Sequence, residues 1–218
     1  MRTANIGSLR SAGLSCIVGA AATALGGIVV QGIVQPGTTV SDHRWSYPWS
    51  SAALVPVSLL WASLHVLVFV GLLGFARSGV AGSSRGARLG TTLALVGTAL
   101  LFVGELASIP IRTQRTDDTG ASIVGAIFAL AILLTALGFL AAGIATLRSR
   151  LWHDWRRLAP LSAGIAASAL LGLNSTKALP AGVALYGLCL LAVGIALYTQ
   201  PTPEPEETSA LAMQKQAA

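Results

Sequence analysis

Apolar residues run along this chain in long stretches, and the polar ones gather in short intervals between them. Uncharged stretches cover 11–41, 45–76, 119–147, 158–176 and 178–203, and a sixth at 89–111 is interrupted only by Glu105. Each is long enough for the ~17–25 residues that a membrane-spanning helix needs. A helix satisfies its backbone hydrogen bonds within one segment, which lipid demands. The apolar and polar alternation of a membrane β-barrel is absent. The pattern predicts an all-α, polytopic membrane helix bundle with six transmembrane helices, near 12–34, 52–76, 89–110, 121–147, 159–175 and 179–199. Together they form one domain over 1–200, and the fifth helix is the shortest.

Composition supports this. The chain is 54% hydrophobic and 10% charged, whereas soluble domains carry ~25% charged residues to face water. A soluble enzyme, a nucleic-acid binder and a disordered chain are disfavoured. The net charge of +6 does not change the picture, because the basic residues stand at the ends of the apolar runs. Counted by loop, the N-terminal arm, second loop, fourth loop and tail hold ten Lys and Arg, and the other three loops hold four. The positive-inside rule then places both termini in the cytoplasm. Residues 201–218 carry Pro201, Pro203, Pro205, Glu204, Glu206 and Glu207 and read as a disordered acidic cytoplasmic tail. Arg outnumbers Lys twelve to two, a bias of high-GC bacterial genomes, so the expected location is a bacterial cell membrane. Arg2 and Arg10 before an apolar run resemble a signal peptide, but the run to Val34 exceeds the ~7–15 residues of a signal core.

Small residues at spacing four mark helix-packing stripes: Ser15, Gly19, Thr23 and Gly27; Ala121, Gly125 and Ala129; Gly164, Ser168 and Gly172. In the third helix Gly90-Thr91, Gly97-Thr98 and Gly104-Glu105 recur every seven residues. Seven residues make nearly two turns, so the glycines line one stripe, and Thr91, Thr98 and Glu105 the next. That face should point into the bundle.

Glu105 is the only acid within a predicted span, and an intramembrane acid is a candidate functional group because burying its charge is costly. His65 stands near the middle of the second helix with Ser58 and Trp61 on its face. The expected depths of Glu105 and His65 differ by about 11 Å at ~1.5 Å per residue. That predicts no direct contact and leaves a polar ligand or ion path through Thr98. The first loop, Asp42-His43-Arg44-Trp45-Ser46-Tyr47-Pro48-Trp49, alternates aromatic rings and reads either as an interfacial belt or as a substrate lid with Asp42, His43 and Arg44. In the fourth loop Arg148, Arg150, Trp152, Trp155, Arg156 and Arg157 suit anionic lipid headgroups at the cytoplasmic face.

No catalytic, cofactor or metal motif is present. Asp42, His43, Asp117 and Asp118 are the one set that could approach a metal, and their spacing does not require it. Cys16 and Cys189, in separate apolar runs, read as small buried hydrophobes. The expected partners are membrane lipids and, beside them, a second copy of the chain or another membrane protein; no nucleic acid is expected.

The stretch Gln35-Pro36-Gly37 through Asp42-His43-Arg44-Trp45-Ser46-Tyr47-Pro48 resembles one found in small six-span membrane proteins of actinobacteria. The resemblance implies fold and membrane location and no activity. Three roles remain open. The leading one is a non-enzymatic membrane protein of structural, regulatory or accessory type. The second is a small transporter or channel-like protein using Glu105 and His65. The third is a lipid-modifying enzyme with an outer-face site. The absence of motifs tilts the balance away from an enzyme.

Overall fold

The computed structural model describes residues 6–174 and 176–200, so the tail at 201–218 lies outside the described residues. Among them there is no β-strand. Six long helices dominate: α1 (Ile6–Val29), α2 (Ser51–Ser78), α3 (Arg85–Ser108), α4 (Thr119–Ser149), α5 (Ala159–Leu173) and α6 (Leu179–Tyr198).

Local sequence explains the boundaries. The Ser50 and Ser84 hydroxyls accept from the amides of Ala53 and Ala87, capping α2 and α3. Gly79 ends α2 at φ 72°, a left-handed cap that glycine adopts without a Cβ clash. Pro160 and Pro180 stand in the first turns of α5 and α6, where no backbone N–H is needed. α1 starts earlier than expected and runs on past Val29 through a π-helical turn, Val30–Val34, and a last turn, Gln35–Gly37. Pro36 lacks the N–H of a regular α-turn and its ring crowds the carbonyl four residues back, so the turn before it widens. This turn presents Gln31, whose Oε1 accepts from the Ala181 amide at 3.3 Å and satisfies an orphan N–H of α6.

Consecutive helices are antiparallel neighbours, and α6 returns to pack along α1. The six helices therefore close a ring in chain order. Gly13 lies against Tyr198, so the start of α1 and the end of α6 share one end of the bundle, the terminal end. The opposite end carries the loops at 38–50 and 109–118 and the turn at 176–178, and is called here the aromatic end.

Glycine sets the helix spacing. A Cβ on Gly90 would meet Ala142 N at 2.6 Å, and one on Gly104 would meet the Phe128 ring at 3.0 Å; Gly97 lies against Thr135 and Ala131. The heptad glycines thus lie on one contact face, as their spacing indicated, and the structure seats α4 on it. Gly27 of α1 and Gly187 of α6 approach each other's helices as closely, with Ala184 N and Ala24 N each at 2.6 Å from the Cβ position. The α5 stripe is only half used: Gly164 meets Leu140 N at 2.6 Å, but Gly172 faces open space. Cys16 is buried and its thiol donates to the Leu190 carbonyl at 3.6 Å.

The outer surface is apolar all round. Leu25, Leu60, Leu89, Ile123, Ile165 and Leu185, one from each helix, are each at least half exposed. Water would penalise such a belt at ~25 cal/mol per Å², and hydrocarbon would not. Five helices are long and apolar enough to cross a membrane. The sixth, α5, is as short as its sequence indicated, at 15 residues, and spans about 22 Å at ~1.5 Å per residue.

Candidate functional site

The ring encloses a cavity of about 470 Å³ toward the aromatic end. Every helix lines it. α1 contributes Thr23 and Gly27, α2 Trp61, His65 and Val68, and α3 Thr98, Leu101 and Glu105. α4 contributes Gly125, Phe128 and Ile132, α5 Leu170, and α6 Val183, Tyr186 and Leu190. Toward the terminal end the ring is filled by side chains. Leu72, Ala136, Phe139, Ala163 and Val193 belong to one buried cluster, and Phe75, Ala142, Trp152 and Leu197 to a second.

Glu105 and His65 meet in this cavity. Glu105 Oε1 lies 3.9 Å from His65 Nε2, and their side chains are 16% and 14% exposed. This corrects the expectation that a depth difference keeps them apart. The reason is directional. Every Cα–Cβ bond in a helix tilts toward that helix's N-terminus. α2 begins at the aromatic end and α3 at the terminal end, so His65 leans toward the first and Glu105 toward the second. The two side chains close the gap by leaning toward each other. At 3.9 Å they form an ion pair when charged, and the separation exceeds a hydrogen bond. Thr98 also lines the cavity; its hydroxyl donates to the Ala94 carbonyl at 2.8 Å, and its oxygen keeps two lone pairs that can accept.

The first loop folds over part of the aromatic end as a built structure. Trp45 N donates to the Gln114 carbonyl at 3.0 Å and Thr116 N to the His43 carbonyl at 2.9 Å, which binds it to the 109–118 loop. The Thr38 hydroxyl donates to the Pro48 carbonyl at 2.7 Å across the loop's base. Trp45, Tyr47 and Trp49 all face the cavity, and Trp45 packs on Phe128 with ring centroids 6.4 Å apart. The rim is exposed at Asp42, Arg44 and Thr116, where the cavity reaches solvent.

The loop's charged residues are each engaged separately. Lys177 donates to Asp42 at 3.3 Å and holds its carboxyl below the usual carboxylate range. Arg44 Nη1 donates to the Thr113 carbonyl at 3.5 Å, and the His43 side chain is exposed. A backbone amide and then the Arg115 guanidinium, at 3.0 Å, lower the Asp117 carboxyl. Asp118 Oδ2 accepts from the Arg115 amide. Asp42, His43, Asp117 and Asp118 do not converge, and among the described residues no three His, Cys, Asp or Glu side chains are grouped to hold a metal.

At the terminal end the expected lipid-anchoring cluster divides. Trp152 is buried and packs on Phe75 with ring centroids 5.7 Å apart, so it is a core residue and not a headgroup anchor. The turn after α4 folds it inward: Arg150 takes φ 57°, reversing the chain just before it. Arg156 donates to the Thr199 carbonyl and hydroxyl at 3.4 and 3.3 Å and lies over the Trp155 ring. Arg148, Arg150, Trp155 and Arg157 remain exposed.

No family model, curated protein or solved structure matches the chain, so the cavity's own chemistry carries the functional argument.

Proposed function

We propose that this chain is an integral protein of a bacterial cell membrane, of the transport type, that takes a small molecule into the central cavity. One observation carries the reading: the Glu105–His65 pair faces a cavity walled by all six helices. A helix bundle held together only for structure fills its centre with interdigitated side chains. This bundle does so at the terminal end and leaves space at the other, with its ionisable spanning residues facing that space. Ionisable groups within spanning helices mark substrate or ion paths because their burial is otherwise costly. A cavity of this size, apolar with a few polar groups, fits a small ligand.

The loop charges support both termini in the cytoplasm, which places the aromatic end outside. Arg148, Arg150 and Arg157 then face the inner leaflet, where anionic headgroups attract them. The closed end lies inward, so this arrangement is the outward-facing half of a transport cycle.

Native mass spectrometry of the full chain in nanodiscs tests the reading. Wild type should retain a small molecule or one specific lipid that Glu105→Gln releases. Identical adducts on both proteins would remove the cavity's claim.

A further inference from the structure

The cavity combines aromatic rings with one carboxylate in a way that selects the charge of its guest. Three of the chain's five tryptophans line it, Trp45, Trp49 and Trp61, together with Phe128. Ring faces carry negative quadrupole charge and attract cations, most strongly where water is displaced. Glu105 adds a carboxyl group, and when ionised a full negative charge, to the same lining. The charge count reinforces the point. The other titratable or charged lining groups are Asp42, Arg44 and Tyr47 from the loop and Tyr186 from α6. α1, α4 and α5 bring none to the lining. Asp42 is paired with Lys177, and Arg44 is on the exposed rim against a carbonyl. Within the ring, Glu105 therefore has one positive counter-charge available from the protein, protonated His65.

Resting on the reading of the cavity as a small-molecule site, we propose that its guest is an organic monocation with an apolar body, and that its binding expels one proton from the His65–Glu105 pair. The pair holds one proton in its neutral-sum state, whether as imidazolium and carboxylate or as imidazole and carboxylic acid. A cation beside Glu105 takes over the neutralising role. Keeping the proton as well would leave an uncompensated positive charge in an apolar ring, which is disfavoured. The balance is one cation in and one proton out, with charge unchanged. The proton leaves through the mouth past Asp42 and Arg44. Glu105 lines the cavity, so its carboxyl can be approached from that side.

The test uses the full chain in nanodiscs and three probes of one shape: benzyltrimethylammonium, its neutral isostere neopentylbenzene, and the anion phenylmethanesulfonate. Binding is followed by tryptophan fluorescence against empty discs, and proton release by a dye in weak buffer. The cation should bind at least tenfold tighter than the other two and release about one proton. Its affinity should fall about tenfold for each pH unit of acidification where the pair is protonated, as linkage requires. Glu105→Gln should weaken it at least tenfold, and His65→Gln should retain cation binding. The probe comparison on wild type needs neither variant to fold.

Equal binding of the neutral or anionic probe would overturn the cation assignment and leave the cavity reading intact. Cation binding independent of pH, without proton release, would overturn the exchange. Binding of none of the probes would overturn the inference, and a Glu105-dependent adduct in the native mass spectrum would then show that the cavity reading survives it.

Discussion

Asp42 and Lys177 are joined by an ion pair of 3.3 Å that links the loop after α1 to the turn before α6. The pair spans the two neighbours that close the helix ring, beside the mouth of the cavity. Its side chains are 51% and 74% exposed, so solvent screens it and its effect on global stability is small. Its consequence is local, because it holds the rim.

The Asp42 carboxyl is lowered below its ordinary value of 3.8, first by the hydrogen bond from Lys177 and then by its charge. A lowered folded-state value means that the contact is fully present above the ordinary Asp range and is lost as pH falls through the lowered value. Hydrogen exchange in the 38–50 loop should therefore be insensitive to this pair between pH 5 and 8, after correction for intrinsic rates. Lys177→Ala should raise exchange there with little change in melting temperature. Unchanged loop exchange in that variant would mean that the backbone bonds to 109–118 hold the rim alone.

Helix spacing predicts two opposite outcomes for glycine substitution. At Gly97 a Cβ would meet Thr135 N at 2.6 Å and the Ala131 carbonyl at 2.7 Å, both backbone atoms that cannot swing aside. Gly97→Ala must push α3 from α4 and should cost about 1–3 kcal/mol, as overpacking does. At Gly172 the same methyl meets open space, so Gly172→Ala should leave stability unchanged or raise it by up to ~1 kcal/mol. Thermal unfolding in detergent reads both. Equal effects would mean that the α3–α4 contact is looser than this geometry.

The two terminal-end tryptophans should also separate. Trp152 is 3% exposed against Phe75, and Trp155 is 47% exposed. Trp152→Ala should cost about 3–5 kcal/mol through the cavity it leaves. Trp155→Ala should cost less than about 1 kcal/mol and instead weaken binding of anionic lipid, read by lipid retention in native mass spectra. Similar unfolding temperatures for the two variants would contradict the division of this loop.

Sequence alone was enough for the six helices and for the glycine stripe of α3. Those properties follow from hydropathy and residue size along a helix, which are local and periodic. Gly90, Gly97 and Gly104 could be placed on one contact stripe without knowing their partners. The two residues at the centre of the site were also legible separately, because an acid or a histidine is conspicuous in an apolar run. Their meeting was not. It depends on the opposed directions of α2 and α3, which turn two side chains toward each other across an expected difference in depth. Trp152 shows the same limit. In the sequence it shares a basic aromatic loop with Trp155, and only the left-handed turn at Arg150 directs it inward onto Phe75. The ring closure of α6 on α1 is likewise tertiary: the stripe that carries Gly27 is periodic in α1, but nothing local says that Gly27 seats against Ala184 and that Gly187 seats against Ala24. What repeats along one helix can be read from the chain, whereas what depends on the relative placement of two helices is decided only when the ring closes.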